Sequence, residues 1–279
     1  RGCQGGCSSA GGAGRGEVRR LMMRIVVLVK EVPDSYGERR LNLITGFADR
    51  EASERVLDEI TGRAVEAAVS YAESAEGVEV ALLSMGPESA ESTLRKALAM
   101  GADSAHHVVD PGLAGADLSL SAEVLAKAVE EIGYDLVIAG DVSSDGTGGL
   151  VPTMVAEYLG VAHATSLDSV QITESSVTGE RAGYGGTVAV QAQLPAMISV
   201  TERLPDPRFP GFKGIMGAKK KPLEKYSLAD LGVDAGADVP RSIMLSVAET
   251  PPRTAGEKIT DQGDAGAKLG EYLIEKKVV

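Results

Sequence analysis

The body of this chain contains no cysteine. Its two thiols, Cys3 and Cys7, both lie in a Gly/Ser-rich leader over residues 1–21. Disulfides, thiol catalysis and iron–sulfur ligation are therefore excluded from everything downstream. The leader lacks the apolar run of a secretory signal and is expected to be disordered or non-native sequence ahead of Met22 or Met23. Nowhere does an apolar run approach the roughly 20 residues of a membrane span. No direct membrane insertion is expected, and a cytoplasmic location follows by default. Positive charge is also scarce. The net charge is −12, and the leader's Arg1, Arg15, Arg19 and Arg20 against Glu17 contribute +3 of it, leaving −15 on the rest. That balance excludes general nucleic-acid binding. Histidine occurs three times, at 106, 107 and 163. Neighbouring residues on a strand point to opposite faces, so His106 and His107 assemble no metal ligand set. No nucleophile is paired with a base, and no serine sits in an elbow motif, which argues against an independent enzyme.

What is present is an alternation of strands and helices. The run Ile25-Val26-Val27-Leu28-Val29 is β-branched and continuous, as in a strand buried on both faces. Apolar residues at Val56, Ile60, Ala64, Ala67, Ala68 and Tyr71 keep helical spacing and predict a helix over 51–75. A strand over 78–85 follows, then a helix over 89–100 with Gly101 as its C′ glycine. A short strand over 106–109, a helix over 119–132 and an apolar strand over 134–139 complete the series. Such alternation implies right-handed crossovers and a parallel sheet, hence a doubly wound α/β fold.

Between the strand at 134–139 and a helix over 153–159 stands Gly140-Asp141-Val142-Ser143-Ser144-Asp145-Gly146-Thr147-Gly148-Gly149-Leu150-Val151. Strand, bare backbone amides and helix N-terminus are the parts of an anion-binding loop, and ligands in such sheets bind beyond the strands' carboxyl ends. The spacing matches neither GxGxxG nor the phosphate-loop pattern. From the residues alone, a nucleotide loop and a plain strand-to-helix turn both stand. Beyond Gly160 the stretches 169–173, 187–193 and 196–200 alternate and predict hairpin strands completing a sheet. From residue 205 prolines recur at 205, 207, 210, 222, 240, 251 and 252, with little periodicity until a last helix over 265–276. So proline-rich a stretch holds no core of its own and is expected to wrap another surface, the chain's own or a partner's. The expected organisation is a leader over 1–22, a nucleotide-binding domain over 23–204, and a docking loop with a C-terminal arm over 205–279.

The later part of the chain carries a family resemblance. Pro207-Arg208-Phe209, Gly214-Ile215-Met216-Gly217-Ala218-Lys219-Lys220-Lys221, Leu231-Gly232-Val233 and Pro251-Pro252-Arg253-Thr254-Ala255-Gly256 closely resemble electron transfer flavoprotein beta subunits. The body agrees in order, through Val29-Lys30-Glu31-Val32-Pro33-Asp34, Lys96-Ala97-Leu98-Ala99-Met100-Gly101-Ala102-Asp103, Ala156-Glu157-Tyr158-Leu159-Gly160 and Leu194-Pro195-Ala196-Met197. One departure is Tyr184-Gly185-Gly186-Thr187, where relatives carry acidic residues around the Gly-Gly.

The resemblance implies a Rossmann-like, adenine-nucleotide alpha-hydrolase-like fold and a heterodimer with an alpha subunit that holds most of a redox-active FAD. The beta subunit then holds AMP or, in electron-bifurcating members, a second FAD. It implies electron carriage without turnover, from flavin dehydrogenases of the acyl-CoA dehydrogenase type in fatty acid oxidation towards a quinone oxidoreductase and the respiratory chain. Carried over, the nucleotide contacts fall on Leu28, on Met85, on Asp58, Glu59, Ile60 and Thr61, and on the loop from Gly140 to Val151. Within that loop Gly146, Gly148 and Gly149 would let amides approach phosphate oxygens and Thr147 would offer a hydroxyl. Asp58 would accept from ribose hydroxyls or else be a solvated helix charge. Tyr36 would face the alpha-bound flavin or stand as a loop aromatic. Phe212, with Ile215 and Met216, would dock partner dehydrogenases, or Phe212 would pack beneath the Lys219-Lys220-Lys221 segment, itself read either as a solvated face or as a basic cluster that steers acidic partners. A nucleotide-sensing α/β module is the competing reading, and it leaves the proline-rich tail without a use.

Overall fold

The computed structural model describes residues 22–237, 243–256, 258 and 260–278. The leader reading falls almost wholly outside them. The chain forms two compact units, one ending at Leu245 and a second over Ser246–Val279.

In the first unit a seven-stranded sheet forms the centre. Its strands are β1 (Met23–Leu28), β4 (Val78–Met85), β5 (Ser104–Val108), β6 (Leu136–Gly140), β7 (Ala162–Leu167), β11 (Ala196–Val200) and β12 (Leu223–Tyr226). Their order is β12-β5-β4-β1-β6-β11-β7, and every pairing is parallel. Ile25 pairs with Val80 on one side and Leu136 on the other. Helices α1 (Glu59–Ser74) and α2 (Glu91–Leu98) share one core with Ile25, Val27 and Leu82, while α3 (Leu118–Ile132) and α4 (Val151–Leu159) share another with Val26, Leu83 and Val137. Alternate residues of β1 thus feed opposite cores, and each fully buried Ile, Leu or Val contributes about 1.5–3 kcal/mol. Helix ends follow sequence chemistry: Asp117 caps α3 by accepting from the Leu120 amide at 3.0 Å, and Gly160 closes α4 in the left-handed region at φ 65°.

The doubly wound parallel fold expected from the sequence is present, with local corrections. The first long helix begins at Glu59, not at 51, because Asp58 caps it and Arg55–Leu57 instead forms β3 against β2 (Glu31–Pro33). Gly101 lies beyond the C-cap Ala99, at φ 139°, where a side chain would strike Val69. The 196–200 stretch is no hairpin strand but a central parallel one, and its five buried residues are the unbroken pattern of a strand covered on both faces. The hairpin strands form a separate antiparallel sheet of β8 (Ser169–Ile172), β9 (Ser176–Gly183) and β10 (Gly186–Gln193), inserted between β7 and β11. Tyr184-Gly185 makes the turn from β9 to β10, Gly185 at φ 80°. Past residue 205, where the sequence shows little periodicity, α5 (Phe212–Ala218) forms and β12 adds an edge to the central sheet, with Leu228, Leu231 and Val233 buried beyond it.

In the second unit the described residues form one helix, α6 (Ala265–Glu275), with none of its residues buried and with Leu269, Tyr272 and Ile274 exposed. Among the described residues no helix is long and apolar enough to cross a membrane.

The two adjacent histidines lie inside β5. The His106 Nδ1 is 3.1 Å from the Tyr226 hydroxyl and its ring stacks on that tyrosine, while both ring nitrogens of the fully buried His107 lack a hydrogen-bond partner among the described residues. Burial pushes both pKa values down, outweighing nearby Glu224 for His106 and Glu88 for His107. A depressed histidine binds its proton in the unfolded chain first, so this stability is complete above the unfolded value of about 6.5 and is lost as pH falls below it. The melting temperature is expected to fall between about pH 7 and 5, and less steeply in His107→Leu. A fall of equal slope in that variant would assign the effect to other groups.

Candidate nucleotide site and docking helix

The order of strand addition reverses between β1 and β6, β4, β5 and β12 lying to one side and β11 and β7 to the other. Ligands of such sheets bind in the crevice beyond the strands' carboxyl ends at this point. Leu28 ends β1, Gly140 ends β6, and Met85 ends the neighbouring β4. The N-terminus of α1 meets the same place: a Cβ on Gly140 would stand 3.1 Å from Ile60 Cγ2 and 3.4 Å from the Thr61 nitrogen. Helix and strand end approach closely enough that a side chain at 140 would force its neighbours to give by a few tenths of an ångström.

Asp58 is fully buried. Its Oδ1 accepts from the amides of Ile60 (3.1 Å) and Thr61 (3.2 Å), and its Oδ2 from the amide of Ser144 (2.8 Å). The carboxylate is thus neither a solvated helix charge nor free for a ribose. It is an N-cap whose second oxygen holds the glycine loop. Glu59 turns outward to Arg63, 3.1 Å away.

The loop divides into two parts. Residues 143–146 are tied down: Lys30 Nζ donates to Ser143 Oγ (3.1 Å) and Asp145 Oδ1 (2.7 Å), Arg50 Nη2 to Asp145 Oδ2 (3.1 Å), and Arg39 Nη1 to the Ser144 carbonyl (2.7 Å). Burial raises the Asp145 carboxyl, but the hydrogen bond and charge of Lys30, aided by Ser143 and the Gly146 amide, prevail and hold it well below the usual carboxylate range. The amides of residues 148–151 are open. The amides of Gly148, Gly149, Leu150 and Val151 donate to no protein acceptor among the described residues, and they lead into the N-terminus of α4. Thr147 and Gly149 take the left-handed conformation, at φ 48° and 66°. A Cβ on Gly148 would meet nothing within 4 Å, so Gly148 is the face left clear, while Gly149 takes its left-handed conformation freely and Thr147 is the residue that carries the backbone strain. Four amides at a helix N-terminus are suited to a phosphate. Lys30, Arg39 and Arg50 are the partners of the loop that sequence reasoning misses, because glycines define the loop in the sequence. The run Val29-Lys30-Glu31-Val32-Pro33-Asp34 marks the place without giving the lysine a role.

Tyr36 stands 99% exposed beside the loop-bound segment, its amide donating to Asp34 Oδ1 at 2.9 Å. Phe212 opens α5 and is 80% exposed, with Ile215 and Met216 about half exposed on the same helix. Phe212 therefore does not pack beneath the lysines. The helix is fixed from its other side: a Cβ on Gly214 would lie 2.5 Å from the Ala99 carbonyl oxygen, and Arg95 Nη1 donates to the carbonyls of Ala218 (2.9 Å) and Lys221 (2.8 Å). Lys221 is no solvated charge, since its Nζ donates to the carbonyl of Leu98 at the end of α2, 3.2 Å away, and to that of Ala102 beyond it.

A seven-stranded parallel sheet, wound both ways from its centre and with a glycine loop at the reversal, defines an α/β protein of the Rossmann-like class. The profile of the electron transfer flavoprotein domain matches residues 45–231. Electron transfer flavoprotein subunit beta of Mycobacterium tuberculosis is 46% identical over 92% of this chain and 100% of its own length. The subunit beta of Thermoanaerobacterium thermosaccharolyticum is 36% identical over the same shares. Caffeyl-CoA reductase-Etf complex subunit CarD of Acetobacterium woodii is 30% identical, again over 92% of this chain and all of that one. The chain belongs to the electron transfer flavoprotein family, among its beta subunits.

Proposed function

We propose that this chain joins an alpha subunit in a cytoplasmic electron carrier and holds AMP at the glycine loop while α5 docks the electron donor. The observation that carries the nucleotide assignment is the set of four open amides from Gly148 to Val151 at the switch point. They suit a phosphate in a protein whose net charge is −12 and which needs backbone dipoles to hold an anion. Leu28, Met85 and residues 58–61 border the crevice where the nucleoside would lie. The redox chemistry is supplied by FAD held mainly by the alpha subunit, and this chain's side chains accept no electrons. Its work is to bind, orient and dock: Tyr36 stands free for the flavin side, and Phe212, Ile215 and Met216 for flavin dehydrogenases of the acyl-CoA dehydrogenase type. Electrons pass on to a quinone oxidoreductase. A second reading puts FAD in this chain's own site, as in a bifurcating carrier, and draws on the 30% identity with the subunit of the caffeyl-CoA reductase-Etf complex.

Acid release of nucleotides from the purified heterodimer tests both. One AMP and one FAD per heterodimer fit the first reading and two FAD the second, whereas ATP without flavin would remove both. Gly148→Val sharpens the loop assignment. Its side chain enters open space, so the melting temperature is expected to stay within about 2 °C, the range of a neutral surface change. The same branches would stand between the loop amides and a phosphate, and nucleotide content is expected to fall at least about tenfold, a loss of roughly 1.4 kcal/mol. Full retention would place the nucleotide elsewhere.

A further inference from the structure

The segment 34–54 between β2 and β3 contains no helix or extended strand, only a single bridge between Leu41 and Ala48. It presents Tyr36, Leu41, Leu43 and Ile44 to solvent. Local turns shape it, such as the Asn42 and Phe47 pair (2.8 Å) and the Asp49 and Arg40 pair (2.9 Å), and Phe47 lies over Gly115, where a Cβ would collide with its ring. Met244 lies against Gly46, and Arg50 Nη1 also reaches the Glu31 carbonyl at 3.4 Å, but the remaining charged contacts converge on one loop. Lys30, just ahead of the segment, and Arg39 and Arg50 within it all bind residues 143–145 of the glycine loop.

We propose that Lys30, Arg39 and Arg50 are positioning residues of the glycine loop, latched through Asp145 and the Ser144 carbonyl, so that the order of the loop and of segment 34–54 rises and falls together. The centre of the latch is Asp145, whose side chain is 10% exposed and receives both cations and the Gly146 amide. A carboxylate so placed is costly to leave without a partner. The connection onward is short: the Thr147 amide donates to the Ser143 carbonyl at 2.9 Å, closing a turn over the tied residues, and the open amides follow directly along the chain. An anion held by residues 148–151 therefore restrains residues 143–147, and through Asp145 the segment that carries Tyr36. This last step rests on the nucleotide reading; the latch itself does not. The low proton affinity of Asp145 keeps the latch charged throughout the ordinary carboxylate range.

Hydrogen exchange on the full chain, purified with its alpha subunit and dialysed free of nucleotide, tests the coupling. Lys30→Met and Asp145→Asn are each expected to speed exchange in both segment 34–54 and residues 143–149, by roughly tenfold, an ordinary coupling between sites. Lys30→Arg is expected to match the parent protein. AMP should then slow exchange in segment 34–54 of the parent and leave that segment unchanged in Asp145→Asn. Loosening confined to the mutated side, or equal AMP protection in Asp145→Asn, would overturn the latch. If Asp145→Asn fails to fold, Lys30→Met and its arginine control decide alone. If the parent binds no AMP, the nucleotide reading falls, while the nucleotide-free comparison still decides the latch.

Discussion

Replacing Asp58 by alanine is expected to lower the unfolding free energy by about 2–4 kcal/mol and to empty the nucleotide site. Two losses combine. The N-cap of α1 disappears, which costs about 0.5–2 kcal/mol. The amide of Ser144 also loses its acceptor at a fully buried position, where an unsatisfied group costs about 1–3 kcal/mol before relaxation and entering water recover part. Asp58→Asn separates the two roles. Its amide oxygen can replace Oδ1 and still cap the helix, but its NH2 group cannot accept from Ser144. The asparagine variant should keep most of the stability and lose nucleotide through a loosened loop. Urea denaturation together with released-nucleotide assays reads both. A change below about 0.5 kcal/mol in Asp58→Ala would mean that the buried carboxylate is not what joins helix to loop.

That dual role explains why the outline of the site is more legible in the sequence than its wiring. The parallel sheet is legible because runs such as Ile25-Val26-Val27 and Leu136-Val137-Ile138 are apolar without alternation, the pattern of strands covered on both faces. The same pattern stands at Ala196-Met197-Ile198, yet the short alternating strands beside it suggest a continued hairpin. Edge strand β12 carries no such signal. Its residues Leu223-Glu224-Lys225-Tyr226 are half polar, and the parallel pairing with β5 spans more than a hundred residues, which no local pattern records. In the site, glycines announce the loop because their function is conformational and local. Lys30, Arg39 and Arg50 reach it across equally long separations, and a cation in a loop looks in sequence like any solvated charge. Asp58 is ambiguous for the same reason: Asp ahead of a helix is a recognisable cap, but the bond to Ser144 exists only once β1 and β6 stand side by side.

Phe212→Ala is expected to slow flavin reduction by an acyl-CoA dehydrogenase by about 30-fold or more in kcat/KM, with folding stability unchanged within about 0.5 kcal/mol. The side chain is 80% exposed, so its removal leaves no cavity and touches little of the core. Its cost appears at an interface, where truncating a buried aromatic anchor commonly removes about 2 kcal/mol or more, and about 2 kcal/mol is about 30-fold. Preorganisation adds to the expectation. Gly214 sits against the Ala99 carbonyl and Arg95 holds the carbonyls of Ala218 and Lys221, so α5 presents Phe212 from a helix already fixed on α2. Gly214→Val supplies the converse case, because its side chain would collide with backbone and must move the whole helix. It should depress transfer as much as Phe212→Ala and also lower the melting temperature. The two variants thus divide anchor from support: transfer lost with stability intact at 212, and both lost at 214. An unchanged rate in Phe212→Ala would exclude this aromatic as the docking anchor.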